Sequence, residues 1–179
     1  RTFASLVAIE GDAVRVQQRY FASMSGIDQA QDVAEQLTLG NDPALLTVPV
    51  ALLSFTQAPY IRGGTFAYEI ASEGGTPALD AMLERYPATA EQAFDTDKYL
   101  ADEPAATVPT PPIAPGGVEA DSGTWGQFLL TEVLREGLAI DSVDPATDGW
   151  AGDAFVTWRA GAQNCLRLDT KMDTTAEAT

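Results

Sequence analysis

The first 24 residues place apolar and polar side chains with the period of an α-helix. At about 100° per residue, the apolar positions fall on one stripe: Phe3, Leu6, Val7, Ala13, Val14, Tyr20, Phe21 and Met24. Asp12, Arg15 and Arg19 fall on the opposite side. The pattern therefore predicts a helix that turns this stripe toward a core.

Glu10 interrupts the apolar stripe near its centre, between Val7 and Val14, and Gln17 lies in the same region. A bare carboxylate is costly to bury, so a Glu here must be neutralised, paired or bound to a metal. Two interpretations stay open from the spacing alone. Glu10 is either a buried carboxylate satisfied by an arginine or backbone donors, or a residue of a functional site.

The rest of the chain predicts further helices and one hairpin. Helical patterns cover residues 27–39, 45–57, 60–71, 77–86 and 125–139, and loops are expected at 40–43, 118–124 and 141–149. The side of the 27–39 helix expected to face inward holds Ile27, Ala30, Val33, Ala34 and Leu37. In the 125–139 helix the residues expected inward are Phe128, Leu129, Val133 and Leu138, and those expected outward are Glu132, Arg135 and Glu136. Alternating strands at 154–159 and 164–169 predict a hairpin. The predicted fold is α+β, mainly α-helical, with a C-terminal antiparallel β-hairpin.

Glycine and proline modify this pattern at two places. Gly63 and Gly64 share a face of the 60–71 helix, where another backbone could approach closely. Residues 101–117 are rich in proline, which predicts an extended, ordered strap across the surface. The strap is expected to lie inside a single domain that covers residues 1–179.

Composition narrows the classes of function. The 45% hydrophobic content indicates a globular chain, and no apolar run reaches the roughly 18 residues that a membrane span requires. The net charge is −16, from 26 acidic and 10 basic residues, which argues against binding nucleic acid. Dispersed acidity with few lysines is typical of halophilic proteins, so we expect stability to fall in dilute buffer.

The chain contains no histidine and one cysteine. It therefore cannot form a Ser-His-Asp triad or a complete histidine-based zinc site from its own residues. Cys165 cannot form an internal disulfide and is expected as a small buried residue on a strand. The acidic segment 141–149 lacks the spacing of an EF-hand loop, which disfavours calcium there.

Several motifs resemble, in order and spacing, a family of bacterial and archaeal zinc metallopeptidases of the HExxH type. They are E-G-D-A at 10–13, P-Y-x-x-G at 59–63, P-x-T-x-E-Q at 87–92 followed by K-Y at 98–99, and G-W-x-G-D at 149–153. The segment 172–177 resembles the start of the family's last helix, so the resemblance implies a final helix from Met172. Three positions depart from the family's pattern, because Asp95 replaces its histidine, Thr96 its proline and Thr76 its tryptophan. The motif residues whose role the resemblance leaves open are Glu91, Gln92, Asp95, Tyr99, Trp150 and Asp153.

The resemblance implies a zinc site to which this chain contributes Glu10 as the third protein ligand. The two histidine ligands would come from an H-E-x-x-H helix outside these residues, so no catalytic residue is expected within the chain. Asp12 is expected to cap a helix or pair with an arginine. Gln17 and Tyr20, by their position on the stripe, could support the metal ligand or line a substrate cleft.

The expected function is the C-terminal portion of a zinc-dependent metallopeptidase-like protein, inactive as this piece alone. Its expected partners are a missing N-terminal segment and a peptide or protein substrate, and its parent is expected to be extracytoplasmic, either secreted or membrane-anchored. The alternative is a non-catalytic surface or extracellular module of a halophile that retains the fold and has lost the site. A third interpretation is a purely structural fragment of a larger assembly.

Overall fold

The computed structural model describes residues 2–40 and 43–176. It confirms a mainly helical α+β chain that ends in antiparallel strands. The chain divides into two compact units, one of Arg1–Pro87 with Ala93–Tyr99 and one of Ala88–Gln92 with Leu100–Thr179. The organisation as a single domain stays a prediction, and the loop predicted at Asn41 and Asp42 lies outside the described residues.

The first unit is helical. The helix α1 spans Phe3–Ser23, α2 spans Gly26–Gly40, a 3-10 turn spans Pro43–Thr47, and α3 spans Val50–Glu84. Two short helices follow along the chain, α4 at Ala90–Phe94 and α5 at Thr96–Leu100. Thr2 caps α1, since its hydroxyl oxygen accepts a hydrogen bond from Ser5 N at 3.3 Å.

The predicted boundary between two helices at Pro59 is wrong, because α3 continues through this residue. A proline inside a helix removes one backbone donor, and the helix retains its course here despite that loss. The break lies instead at Gly74 and Gly75, where the sequence predicts a helix end, and Gly75 has a positive φ of 64°.

The helices α1 and α3 touch backbone to backbone at Gly11 and Gly63. A Cβ added at Gly11 would lie 2.2 Å from the carbonyl oxygen of Gly63, and one added at Gly63 would lie 2.4 Å from that of Val7. The close approach predicted for the glycine face of α3 is therefore confirmed. Around this contact lies an apolar core: Ala4, Val7, Ala8, Phe66, Ala67, Ile70, Leu79, Met82, Ala93 and Tyr99.

The crossing also decides which face of α1 points inward. Its buried residues are Ala4, Val7, Ala8 and Gly11. The second half of the predicted stripe is wrong in this respect, because Ala13 is exposed and Tyr20 is 68% exposed. The glycine contact turns α1 about its axis relative to the orientation that hydrophobicity alone favours.

The second unit is built on a three-stranded antiparallel sheet in the order β1-β2-β3. The strand β1 spans Val118–Gly123, β2 spans Trp150–Ala160 and β3 spans Gln163–Met172. The predicted hairpin is confirmed as β2 and β3, which turn at Gly161 and place Trp158 opposite Cys165. Cys165 lies on a strand as expected and is half-buried.

Two segments predicted as loops are regular structure. Residues 118–123 form β1, whose side chains are all exposed, so the alternation that marks a strand is missing from its sequence. The acidic segment after Ala139 forms the helix α7, Ile140–Thr147, which continues through Pro145. The helix predicted from Met172 is not observed over 173–176, where the chain forms bends and a turn, and residue 177 lies outside the described part.

The helix α6, Gly126–Arg135, confirms the main part of the predicted 125–139 helix and corrects its orientation. Phe128 and Leu130 are buried, but Val133 and Leu138, predicted inward, are 49% and 44% exposed. Glu132, predicted outward, is buried and pairs with Arg135 at 2.8 Å. A glutamate that carries its own counter-charge one turn away can face inward at lower cost.

The predicted strap, residues 101–117, contains no helix or strand and packs on β2. The backbone N–H of Ala106 donates to the carbonyl of Ala151 at 2.7 Å. A Cβ at Gly152 would lie 2.2 Å from the carbonyl oxygen of Ala106, so β2 needs glycine where the strap crosses it. Within 2–40 and 43–176, no helix combines the length and apolar content that crossing a bilayer requires.

Candidate functional site

Glu10 lies at the edge of the buried face of α1, directly before the crossing glycine. Its side chain is half-buried, so the interpretation as a fully buried carboxylate is wrong. It forms no ion pair or side-chain hydrogen bond with another described residue. Because Gly11 fixes the backbone against Gly63, the Glu10 carboxylate leaves the helix from a rigid point.

Asp12 pairs with Arg15 one turn along α1, as the sequence predicts. Its Oδ1 accepts from Arg15 Nη2 at 2.9 Å and from Nε at 3.1 Å. The Asp12 carboxylate is therefore in an ion pair on the side of α1. Asp12 is therefore engaged in a local helix contact.

The structure does not bring Gln17 and Tyr20 together with Glu10. Gln17 is exposed, and Tyr20 lines a cleft of about 530 Å³ between the end of α1 and the polar side of α2. Glu10 is not among the residues that line this cleft. A supporting role for either residue at Glu10 stays a prediction.

A second groove, of about 510 Å³, runs between α1 and α3. Val14 and Gln18 line it from α1, one and two turns beyond Glu10 on the same side of the helix. Tyr60, Ile61, Gly64, Thr65 and Tyr68 line it from α3. Its walls are mostly apolar and aromatic, and Tyr68 is 72% exposed.

The P-x-T-x-E-Q motif forms the turn that precedes α4 and connects this turn to the strap by hydrogen bonds. Thr89 Oγ1 accepts from Gln92 N at 3.1 Å and so caps the first turn of α4. The side chain of Gln92, 2% exposed, accepts from Ala88 N at 2.8 Å and donates to the carbonyl of Glu103 at 2.7 Å. Each end of this buried amide is thus used in backbone hydrogen bonds.

Asp95 and Tyr99 also have structural partners. Asp95 Oδ1 accepts from Asp97 N at 3.0 Å and from Lys98 N at 3.3 Å, so this exposed residue caps α5. The hydroxyl of Tyr99 donates to the carbonyl of Arg85 at 2.8 Å, and the Arg85 guanidinium lies 4.6 Å from the centre of its ring. At the position where the resemblance of the sequence implies a histidine, Asp95 is a helix cap.

Asp153 of the G-W-x-G-D motif is a buried carboxylate that accepts three hydrogen bonds. It accepts from Trp125 N at 2.7 Å, from Gly126 N at 2.8 Å and from Trp150 Nε1 at 3.0 Å. The residue is 4% exposed. Its carboxylate joins the start of β2 to the start of α6, where Gly126 has a positive φ of 78°, and this makes it a structural anchor.

The structure brings together three acids that sequence reasoning did not group: Glu91, Glu103 and Asp173. One carboxylate oxygen from each lies within 4.8 Å of the others. Glu91 is buried, Glu103 half-buried and Asp173 exposed, and all three also take part in other interactions. Among the described residues this is the group with metal-ligand geometry, and Glu10 is not part of it. An oxygen-only set of this kind suits a hard cation better than zinc.

Only Glu91 stood out in the sequence, because it belongs to a motif. Glu103 lies on the strap and Asp173 follows β3, so no spacing along the chain relates them to Glu91. Their proximity depends on two contacts that sequence periodicity does not encode. Gln92 holds Glu103 through its carbonyl, and Asp173 N donates to the carbonyl of Gly149 at 2.7 Å.

Comparison with known proteins adds one finding. A domain of unknown function, DUF8575, matches residues 112–179, which contain β1, α6, α7 and the hairpin. The match covers less than half of the chain and leaves out Glu10. No curated protein and no solved structure matches the chain.

Proposed function

We propose that residues 1–179 are the C-terminal portion of a zinc-dependent metallopeptidase-like protein to which Glu10 supplies a metal ligand. The observation that carries the proposal is the position of Glu10. Its carboxylate is half-buried, lacks an ion-pair partner among the described residues, and stands beside the contact of Gly11 with Gly63. In the E-G-D-A motif this glycine, Gly11, directly follows Glu10.

The donor set fits one position of a zinc site. Zinc in peptidases takes two imidazoles and one carboxylate and keeps a fourth position for water. Glu10 offers the carboxylate, while the sequence contains no histidine, so both imidazoles must come from a segment outside these residues. When bound, such a metal lowers the pKa of its water and polarises a carbonyl group.

The substrate class that we propose is a peptide or an unfolded protein segment. The groove between α1 and α3 begins one turn beyond Glu10, and Tyr60 and Tyr68 offer it exposed aromatic surface. A groove of about 510 Å³ has room for a few residues of an extended chain. The net charge of −16 favours a high-salt setting, and the parent protein that we propose is extracytoplasmic.

The test compares Glu10→Gln with Glu73→Gln in a protein that includes the residues encoded before Arg1. Glu73 is an exposed acid on α3 and provides a matched control. We expect one bound zinc per chain, an affinity lowered at least about tenfold by Glu10→Gln, and no change with Glu73→Gln. An unchanged zinc affinity in Glu10→Gln, or the lack of an H-E-x-x-H helix in the preceding residues, would refute the proposal.

A second candidate is the non-catalytic module, and a specific observation favours it. Asp95, which stands at the family's histidine position, caps α5 and is exposed. Gln92, Tyr99 and Asp153 are likewise used in structural hydrogen bonds. This candidate predicts that the protein keeps its fold and binds no zinc, so the same metal measurement separates the two.

A further inference from the structure

We propose that α2 is a self-association surface through which two copies of this chain pair as antiparallel helices. The proposal does not depend on the zinc site. It rests on three features of α2: an apolar stripe that faces solvent, a symmetric spacing of that stripe, and a charge pattern that keeps carboxylates away from it.

The first feature is the exposure of the apolar side of α2. Ile27 is 81% exposed, Leu37 62% and Val33 46%, and Ala30 and Ala34 between them are also exposed. The sequence predicts these five residues to face a core, and that prediction is wrong for the chain by itself. The opposite, polar side faces α1, where Asp28, Asp32 and Glu35 line the cleft with Tyr20.

The exposed apolar side of α2 is of the kind that another protein surface normally buries. Among the described elements, α2 forms no extensive contact with any other helix or strand. Isolated helices of about 15 residues are marginal in water, and most helical stability in proteins comes from packing an apolar face. The apolar stripe is therefore expected to meet another surface.

The spacing of the stripe points to another helix. Ile27, Ala30, Ala34 and Leu37 follow the a and d positions of a heptad repeat. The two alanines in the middle permit close approach of two helix axes, and the larger residues lie at the ends. A second helix with the same heptad spacing would pack its own apolar side chains into the gaps between those of α2.

The spacing is also symmetric about residue 32, which favours a second copy as the partner. In an antiparallel pair with its twofold axis at this point, Ile27 of one copy faces Leu37 of its partner, and Ala30 faces Ala34. An isologous contact requires this kind of self-complementary pattern. Large residues then meet large ones and small residues meet small ones.

The charge pattern agrees with pairing between identical acidic chains. The positions that flank the stripe hold Gln31, Val33 and Thr38, none of which is charged. The carboxylates of α2 are at Asp28, Asp32 and Glu35, on the outer positions of the repeat. Two chains of net charge −16 can thus bring this face together without apposing like charges at the contact.

The experiment measures the mass of the full chain by sedimentation at about 0.2 M and about 2 M sodium chloride. We expect a dimer that strengthens with salt, because salt screens the net charge and strengthens apolar burial. Ile27→Glu should raise the dissociation constant roughly tenfold or more, while Gln36→Glu, which adds the same charge at an exposed position outside the stripe, should leave it nearly unchanged. Circular dichroism checks that both variants keep their helix content.

Cysteine cross-linking tests the direction and register in a Cys165→Ser background. An equal mixture of Ala30→Cys and Ala34→Cys chains should form the mixed disulfide in preference to either homodimer. Preferred Ala30→Cys homodimers would indicate parallel pairing and overturn the proposal. A chain that stays monomeric at both salt concentrations, or a dimer unaffected by Ile27→Glu, would overturn it as well.

Discussion

The two units of the chain bury different kinds of residue. The core of the first unit is apolar and contains a backbone-to-backbone contact of two glycines. The buried polar and charged side chains of the described residues all belong to the second unit: Glu91, Gln92, Gln127, Thr131, Glu132, Thr147 and Asp153. The difference bears directly on how an acidic residue is interpreted in each unit.

In the second unit, burial of an acid does not mark a functional site. Asp153 is nearly inaccessible, yet three donors satisfy it, and Glu132 has its own arginine. In the first unit, Glu10 is more exposed and has no such partners among the described residues. Lack of a structural partner, more than depth of burial, therefore distinguishes a candidate metal ligand from an anchor.

The largest effect is expected from Asp153→Ala in the second unit. It leaves three N–H donors without their acceptor inside the protein, and each such loss costs about 1–3 kcal/mol. We expect the free energy of unfolding, measured by urea denaturation, to fall by about 3–5 kcal/mol. Asp148→Ala at an exposed position is the control, and a loss below about 1 kcal/mol for Asp153→Ala would contradict the anchoring role.

The next effect is expected from Gly63→Ala in the first unit. The added Cβ would lie 2.4 Å from the carbonyl oxygen of Val7, so α1 and α3 must separate. Overpacking of this kind costs about 1–3 kcal/mol, against which the better helix propensity of alanine recovers up to about 1 kcal/mol. Gly64→Ala meets only one side-chain atom, Val14 Cγ1 at 3.2 Å, which needs to move by a few tenths of an ångström, so it should cost clearly less than Gly63→Ala in the same urea titration.

Equal stabilities for these two glycine variants would contradict the crossing. They would show that α1 is free to shift on α3, and the rigid placement of Glu10 would lose its support. The comparison of Gly63→Ala with Gly64→Ala thus tests the contact of α1 with α3 that positions Glu10, and it can be made without zinc.

A smaller effect is expected from Thr89→Ala. It removes the hydroxyl that accepts from Gln92 N and caps α4, a loss typically near 1 kcal/mol. Thr89→Ser keeps the acceptor and should retain most of the stability in thermal unfolding. If both variants lost equal stability, the methyl group and its packing would matter more than the cap.

The glycine pair marked the break at Gly74 and Gly75. Periodicity identified α1 and the hairpin of β2 and β3, although only part of the predicted stripe of α1 is buried. It failed for β1, whose residues are all exposed, and for α7, whose single proline, Pro145, and acidic residues are typical of a loop. In these elements tertiary contacts override local preference.

The orientation of elements was harder to predict than their existence. Hydrophobicity placed Glu10 at the centre of the inward face of α1, whereas the contact of Gly11 with Gly63 moves it to the edge. It also placed the apolar side of α2 inward, although that side faces solvent. The cluster of Glu91, Glu103 and Asp173 was not predicted, because it depends on the path of the strap.

The most direct measurement is the zinc content of the protein that includes the residues before Arg1, compared between the unaltered sequence and Glu10→Gln. The account predicts one zinc per chain in the former and a marked loss in the latter, with little change in the free energy of unfolding of residues 1–179, because Glu10 has no ion-pair partner among the described residues. Equal zinc content in both proteins, or none in either, would contradict it.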